Sequence, residues 1–251
     1  PPPSFSASSS TQPKLRDSAE KSEDAEHSED AAPPALPPAA AVTYLEALTQ
    51  PGVVPSISAA AIAAFGLWVP TVYIVRHAQD SGYDSDTSSR VILAFGLGGI
   101  IGRLPIAYVA DLWGQRLVVA AVVACFGVLT ALLSWIVKVE GLLYSYGFVA
   151  GSLVGSFMAL LGPLMAETVH PKYMPKVTTA AFSALGPGFM GGPAIAGRLY
   201  DSLGTLDWSF ALAGLFGLVA AVMLLLTPCI VQHSEQQRAE EEEAAEEEEK
   251  R

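Results

Sequence analysis

Six apolar runs, at 57–75, 91–110, 117–137, 141–166, 177–197 and 208–231, alternate with short polar links: His77 to Ser89, Asp111 to Arg116, Lys138 to Glu140, Glu167 to Lys176 and Arg198 to Asp207. Each run is close to the ~20 residues a helix needs to cross a hydrocarbon core. Only the second run holds a charge away from its ends, Arg103. The pattern predicts an all-α polytopic membrane protein with six transmembrane helices over 48–231. Because six is even, both ends of the chain fall on one side of the bilayer. Residues 1–47 are Pro-, Ser- and acid-rich and of low complexity, which predicts a disordered segment, and 232–251 reads as a Glu-rich solvated tail without fixed structure.

Composition agrees with this pattern. Of 251 residues, 51% are hydrophobic and 16% charged, and the mean hydropathy is +0.39. A soluble domain carries roughly a quarter charged residues, so the apolar excess belongs in lipid. The net charge of -11 resides in the flanks: residues 1–55 hold eight acids against three bases, 232–251 nine against three, and 56–231 eight of each. No basic surface is left for nucleic acid. The near-membrane Lys and Arg residues tie at four on each side (Arg116, Lys172, Lys176 and Arg238 against Arg76, Arg90, Lys138 and Arg198), so charge alone does not orient the chain. Cys125 and Cys229 sit in apolar runs and read as small buried residues. His77, His170 and His233 fall in links or the tail, so no metal constellation and no cofactor site is visible. Tyr144, Tyr146, Trp68, Trp113 and Trp208 read as interfacial belt residues. With neither an initiator Met nor a basic-apolar leader, the chain reads as part of a longer protein.

Within the spans, small residues recur four apart: Gly98 and Gly102; Gly147, Gly151 and Gly155; Gly188 and Gly192. On a helix these form a smooth stripe for close packing of a neighbour. The glycines at 96–102 lie inside a span with no preceding strand, which excludes a phosphate loop. Pro70, Pro105, Pro163, Pro187 and Pro193 predict bends, tolerated in lipid where the freed backbone groups face protein or a cavity. Arg103 cannot shed its charge, and its placement costs about 2.5 to 3.5 kcal/mol on translocon scales. It therefore binds an anionic substrate, or pairs with Asp111 about two turns on, or snorkels to the interface. The link Asp111-Leu-Trp-Gly-Gln-Arg116 can lock two helix ends by a contact that loosens when they move, or be an ordinary solvated turn.

These residues resemble a known pattern. Ala107, Asp111, Gly114 and Arg116 are similar to the motif that major facilitator superfamily transporters carry between their second and third helices and, more loosely, between the eighth and ninth. Phe65-Gly-Leu-Trp-Val-Pro70, the span from Leu93-Ala-Phe95 to Gly102-Arg103, and Gly192-Pro-Ala-Ile-Ala-Gly-Arg-Leu-Tyr-Asp201 resemble the C-terminal half of the monocarboxylate transporter family. In register, 48–231 corresponds to family helices seven to twelve. The resemblance implies a transporter of small organic monocarboxylates, often with a proton as co-substrate, in which Arg103 contacts the substrate carboxylate. It implies that 1–47 ends the central cytoplasmic loop, that both tails are cytoplasmic, that the plasma membrane is the site of action, and that an N-terminal half of the same protein is the missing partner. Ser156, Phe157 and Met158 fall where relatives shape specificity, and Met158 is the substrate-binding candidate among them. Asp111, Gly114 and Arg116 are the gating candidates. Glu167 matches a Glu at the end of the tenth helix. Proton-coupled members commonly carry an Asp four residues before the Arg. Here that position is Gly99, which puts proton coupling in doubt. An enzyme would need a convergent acid, base or nucleophile set within the spans, and only Arg103 is charged there. A non-transporting scaffold and a superfamily transporter of another solute are the remaining alternatives.

Overall fold

The computed structural model describes the backbone of residues 43–249 and the side chains of 43–228. Its elements there are all helical: α1 (Tyr44–Leu48), α2 (Val53–Asp80), α3 (Ser85–Ile101), α4 (Arg103–Trp113), α5 (Gln115–Ala131), α6 (Leu133–Ile136), α7 (Glu140–Thr168), α8 (Met174–Leu203) and α9 (Asp207–Glu249). By length and composition α2, α7 and the part of α9 up to Pro228 can each cross a membrane, and α3 with α4 does so as a bent pair. α5, at 17 residues, is a shorter apolar helix, and α8 runs for 30. The molecule is an all-α, polytopic membrane protein.

Helix ends follow local chemistry. Asp84 caps α3 by accepting from the Thr87 amide at 2.9 Å, and its hydrogen bonds to Thr87 hold the carboxyl below the usual carboxylate range. Pro175 opens α8, and Gly204, at φ 71°, closes it in the left-handed conformation that suits glycine.

The run 91–110 is not one helix. It breaks at Gly102, and α3 and α4 meet at 41°. Pro105, third in α4, has no N–H for the Ile101 carbonyl, so the ladder cannot pass straight through this turn. Nor does α9 stop at 231. Its backbone stays helical to Glu249, against the expectation of an unstructured tail, because Ala, Glu and Gln extend an existing helix without a new nucleation cost. The disordered segment expected over 1–47 lies outside the described residues up to 42. Its last residues form α1, held where the Tyr173 hydroxyl donates to Glu46 at 2.9 Å and Lys176 lies 5.0 Å above the Tyr44 ring.

Neighbours in sequence are not the main neighbours in space. α3 packs on α7, α2 on α8 and α9, and α5 on α9 and α7. Lipid offers no hydrophobic driving force between helices, so close backbone approach must supply the attraction. The glycine positions show that approach. A Cβ at Gly98 would run into the Phe148 carbonyl, one at Gly151 into that of Phe95, and one at Gly192 into that of Phe65. At Gly102 it would meet Ser152, at Gly147 the Val91 carbonyl at 2.9 Å, and at Gly188 the Ala61 carbonyl at 2.8 Å. Serines add polar links: Ser152 Oγ donates to the carbonyls of Phe148 at 2.8 Å and Gly98 at 3.0 Å.

Three placements differ from the sequence reading. Cys125 is exposed, because its side of α5 faces outward, where an apolar residue meets lipid rather than a core. The Cys229 side chain lies outside the described residues. Tyr146 is buried and shares a hydrogen bond of 3.3 Å with Thr130 instead of marking an interface. His77, read as a link residue, lies in the last turn of α2 and is only 6% exposed, because that helix runs five residues past the apolar run.

Candidate functional site

Arg103 is the first residue of α4, at the vertex of the bend. The break sets it there: the Ser156 hydroxyl donates to the Gly102 carbonyl at 3.4 Å and to the Ser152 carbonyl at 2.7 Å, tying the vertex to α7. The Arg103 side chain then crosses α7 at Gly155, where a Cβ would come within 3.1 Å of Nε and 2.6 Å of the Gly99 carbonyl. Gly155 thus serves both helix contact and guanidinium placement. The head is exposed, and among the described residues it forms no hydrogen bond or ion pair. The pairing with Asp111 is not made, since Asp111 accepts from Gln115 Nε2 at 3.1 Å. Ile100, Ile101 and Leu104 are exposed around it, so a permanent cation stands on an otherwise apolar wall.

The specificity candidates separate. Phe157 is fully buried and Ser156 nearly so, which leaves Met158 partly exposed. Met158 is three residues beyond Gly155 on α7, so the two share a helix face.

The turn between α4 and α5 is built differently from its sequence picture. Gly114, at φ 92° and ψ 140°, takes a conformation that side chains resist, and Glu167 Oε1 lies 3.6 Å from where its Cβ would be. Glu167 Oε2 accepts the Arg116 amide at 3.1 Å, placing a carboxylate at the N-terminus of α5, and Arg116 Nη2 donates to Thr168 Oγ1 at 3.3 Å. Asp111 and Arg116 do not meet each other. The cross-link runs instead from the turn to the end of α7, 51 residues away. Glu167 is the residue that the sequence matches to a Glu at the end of the tenth helix, whereas Ser152 is not singled out there. A signal for Ser152 exists, since Ser152 and Ser156 repeat the four-residue spacing one position after Gly151 and Gly155.

A helical bundle bent at a mid-span arginine, packed through glycines and pinned at one end by a carboxylate on a helix terminus, defines a polytopic membrane protein of the all-α class. The chain belongs to the Major Facilitator Superfamily, whose family model matches residues 56–250. The family is one of transport proteins, not enzymes. The chain is 28% identical over 169 residues to Monocarboxylate transporter 10 of Rattus norvegicus, covering 66% of this chain and 33% of that protein. Human Monocarboxylate transporter 10 is 27% identical over 169 residues, with the same 66% and 33% coverage. The 4-hydroxybenzoate transporter PcaK of Pseudomonas aeruginosa is 29% identical over 165 residues, covering 65% of this chain and 35% of that protein. The chain spans about a third of the length of the curated relatives it matches.

Proposed function

We propose that this chain is one half of a transporter that moves small organic monocarboxylates by alternating access, with Arg103 receiving the substrate carboxylate. The observation that carries this reading is Arg103 itself, exposed at the vertex of a bent span and unpaired among the described residues. A guanidinium presents two parallel donors that match a carboxylate, and the apolar surroundings strengthen such a bond. Met158 contributes apolar contact beside it. Sites in such folds lie near the midplane between halves, so a preceding six-span half of the same protein supplies the opposite wall. The similarity to relatives named for monocarboxylate and 4-hydroxybenzoate transport supports an organic acid as substrate.

Asp111, Gly114 and Arg116, with Glu167, hold one conformational state. Both tails lie in the cytoplasm of a plasma-membrane protein. No acid stands one turn before Arg103, so uptake depends less on a proton gradient than in relatives that have the pair.

Uptake by the full-length protein tests the assignment. Arg103→Lys keeps the charge and loses the fork, and Arg103→Ala loses both. A charged hydrogen bond is worth about 1.5 to 3 kcal/mol, so each variant is expected to lose roughly ten- to hundredfold in apparent affinity. Near-normal uptake by Arg103→Lys at equal surface expression removes Arg103 from the site, because a lysine that merely snorkels reaches the interface as well.

A further inference from the structure

At the end of the bundle opposite α1, the α5–α6 break, the α6–α7 link and the start of α9 border a notch of about 380 Å³. Its floor follows from the packing beneath it. α5 and α9 cross at their backbones, where a Cβ on Gly127 would lie 2.8 Å from the Gly214 carbonyl and one on Gly214 2.6 Å from the Gly127 carbonyl. One turn further on, the notch is floored by Ala131 and Ala211 with Ser134 of α6, side chains too small to fill the space beyond the crossing.

Two tryptophans also line it, Trp135 at 71% exposure and Trp208 at 62%. An indole pairs an apolar body with a polar N–H and belongs at the level of lipid headgroups. The apolar surface continues away from them: Leu215, one turn beyond Ala211 on the same face of α9, is 55% exposed. The notch therefore lies where the apolar spans give way to polar links.

It carries one charge of each sign. Lys138 lies over the Trp135 ring at 4.6 Å and forms no ion pair, and Asp207, the first residue of α9, forms no hydrogen bond or ion pair among the described residues. Both line the notch, yet they do not pair with each other. With Ser134 they also line an adjoining cavity of about 320 Å³. A simple anion would be repelled by Asp207 and a simple cation by Lys138, whereas a ligand with both signs satisfies both. A transmembrane helix seated here through apolar side chains would leave two unpaired charges at its contact. A dissolved zwitterion would leave the apolar face beside Leu215 uncovered. The described residues hold no grouping of His, Cys, Asp and Glu fit for a metal.

We infer that this notch binds a zwitterionic phospholipid, with the phosphate on Lys138, the headgroup ammonium on Asp207, the tryptophans beside the headgroup and an acyl chain running along α9 past Leu215. The site does not involve Arg103 and goes beyond the transport reading.

Fluorescence quenching in the purified full-length protein tests this without substrate or transport. Leu215→Cys, with every other cysteine replaced by serine, carries a fluorophore that brominated acyl chains quench, and Leu117→Cys at the opposite end of α5 carries the same reporter as a reference. In an uncharged detergent each is titrated with brominated phosphatidylethanolamine or brominated phosphatidylglycerol, which share the phosphate and differ in the ammonium. At Leu215 the ethanolamine lipid is expected to reach half-quenching at a concentration about two- to fivefold lower, the range an exposed ion pair supports. At Leu117 the two lipids should coincide. Asp207→Asn should raise the midpoint for the ethanolamine lipid to that of the glycerol lipid, and Lys138→Gln should raise both midpoints. Lys138 and Asp207 are exposed, so neither substitution disturbs the core. Coincident midpoints at Leu215 in the otherwise unsubstituted protein overturn the proposal, as does the same ethanolamine preference at Leu117 or a titration left unchanged by either variant.

Discussion

Gly155 is the residue on which packing and the binding reading depend together. Its missing side chain lets α7 approach the Gly99 carbonyl and leaves the path that Arg103 takes. Gly155→Ala places a methyl in both spaces, and overpacking of this kind costs about 1 to 3 kcal/mol. Gly162, on the same helix, has nothing within 4 Å of a built Cβ. There Gly162→Ala gains about 1 kcal/mol of helix propensity instead. Thermal unfolding in detergent is expected to show a lower midpoint for the first variant and an unchanged or higher one for the second. Equal midpoints would mean that close approach at Gly155 contributes nothing. The same residue shows what a sequence reading misses. The four-residue spacing marks Gly155 as a packing position, but only the fold reveals that Arg103, on another helix, lies over it.

At the scale of elements, the bend between α3 and α4 decides where Arg103 points. Pro105 removes one ladder bond, and the Ser156 hydroxyl engages the Gly102 carbonyl at the vertex. Pro105→Ala restores the donor and should let the two helices straighten. A straight rod from Leu93 to Leu112 spans about 28 Å at 1.5 Å per residue, and a 41° bend near its middle shortens it by about 2 Å. Both end residues are exposed, so spin labels there can be placed without disturbing the bundle. A distance between labels that lengthens by this amount is expected, with weaker substrate binding alongside it. An unchanged distance would assign the bend to the tie with α7 rather than to the proline. Proline in a run marks an interruption in advance, whereas the angle depends on what the freed groups find.

For the whole molecule, the link from Glu167 to the first turn of α5 joins the α4–α5 turn to the end of α7 at the end that carries α1. Alternating access needs contacts that hold one state and yield in the other. Glu167→Gln keeps the shape and loses the charge at the helix terminus, an interaction worth about 0.3 to 1 kcal/mol, enough to change a balanced population severalfold. Labelling of a single cysteine replacing the buried Val177, near the start of α8 at this end, should accelerate in the variant as the end opens more often. Unchanged labelling, with Asp111→Asn and Arg116→Ala also unchanged, returns the turn to an ordinary link.

The sequence by itself determined the class of element and its approximate place. Apolar runs of span length, broken by polar links, admit only helices in lipid, because no water is there to satisfy an exposed backbone. Glycine spacing marked the contact faces, and Arg103 stood out as the one charge within a run, because a guanidinium in hydrocarbon requires a reason. Which helices meet was decided by tertiary structure alone: α3 on α7, α2 on α8, and α5 on α9 are pairings between distant segments, and a stripe of small residues fits any complementary stripe. The same holds for Glu167 at α5, Ser152 against Gly98, and Lys138 lining one notch with Asp207. Each joins residues more than fifty positions apart, and periodicity along one helix carries no information about what another helix brings to it.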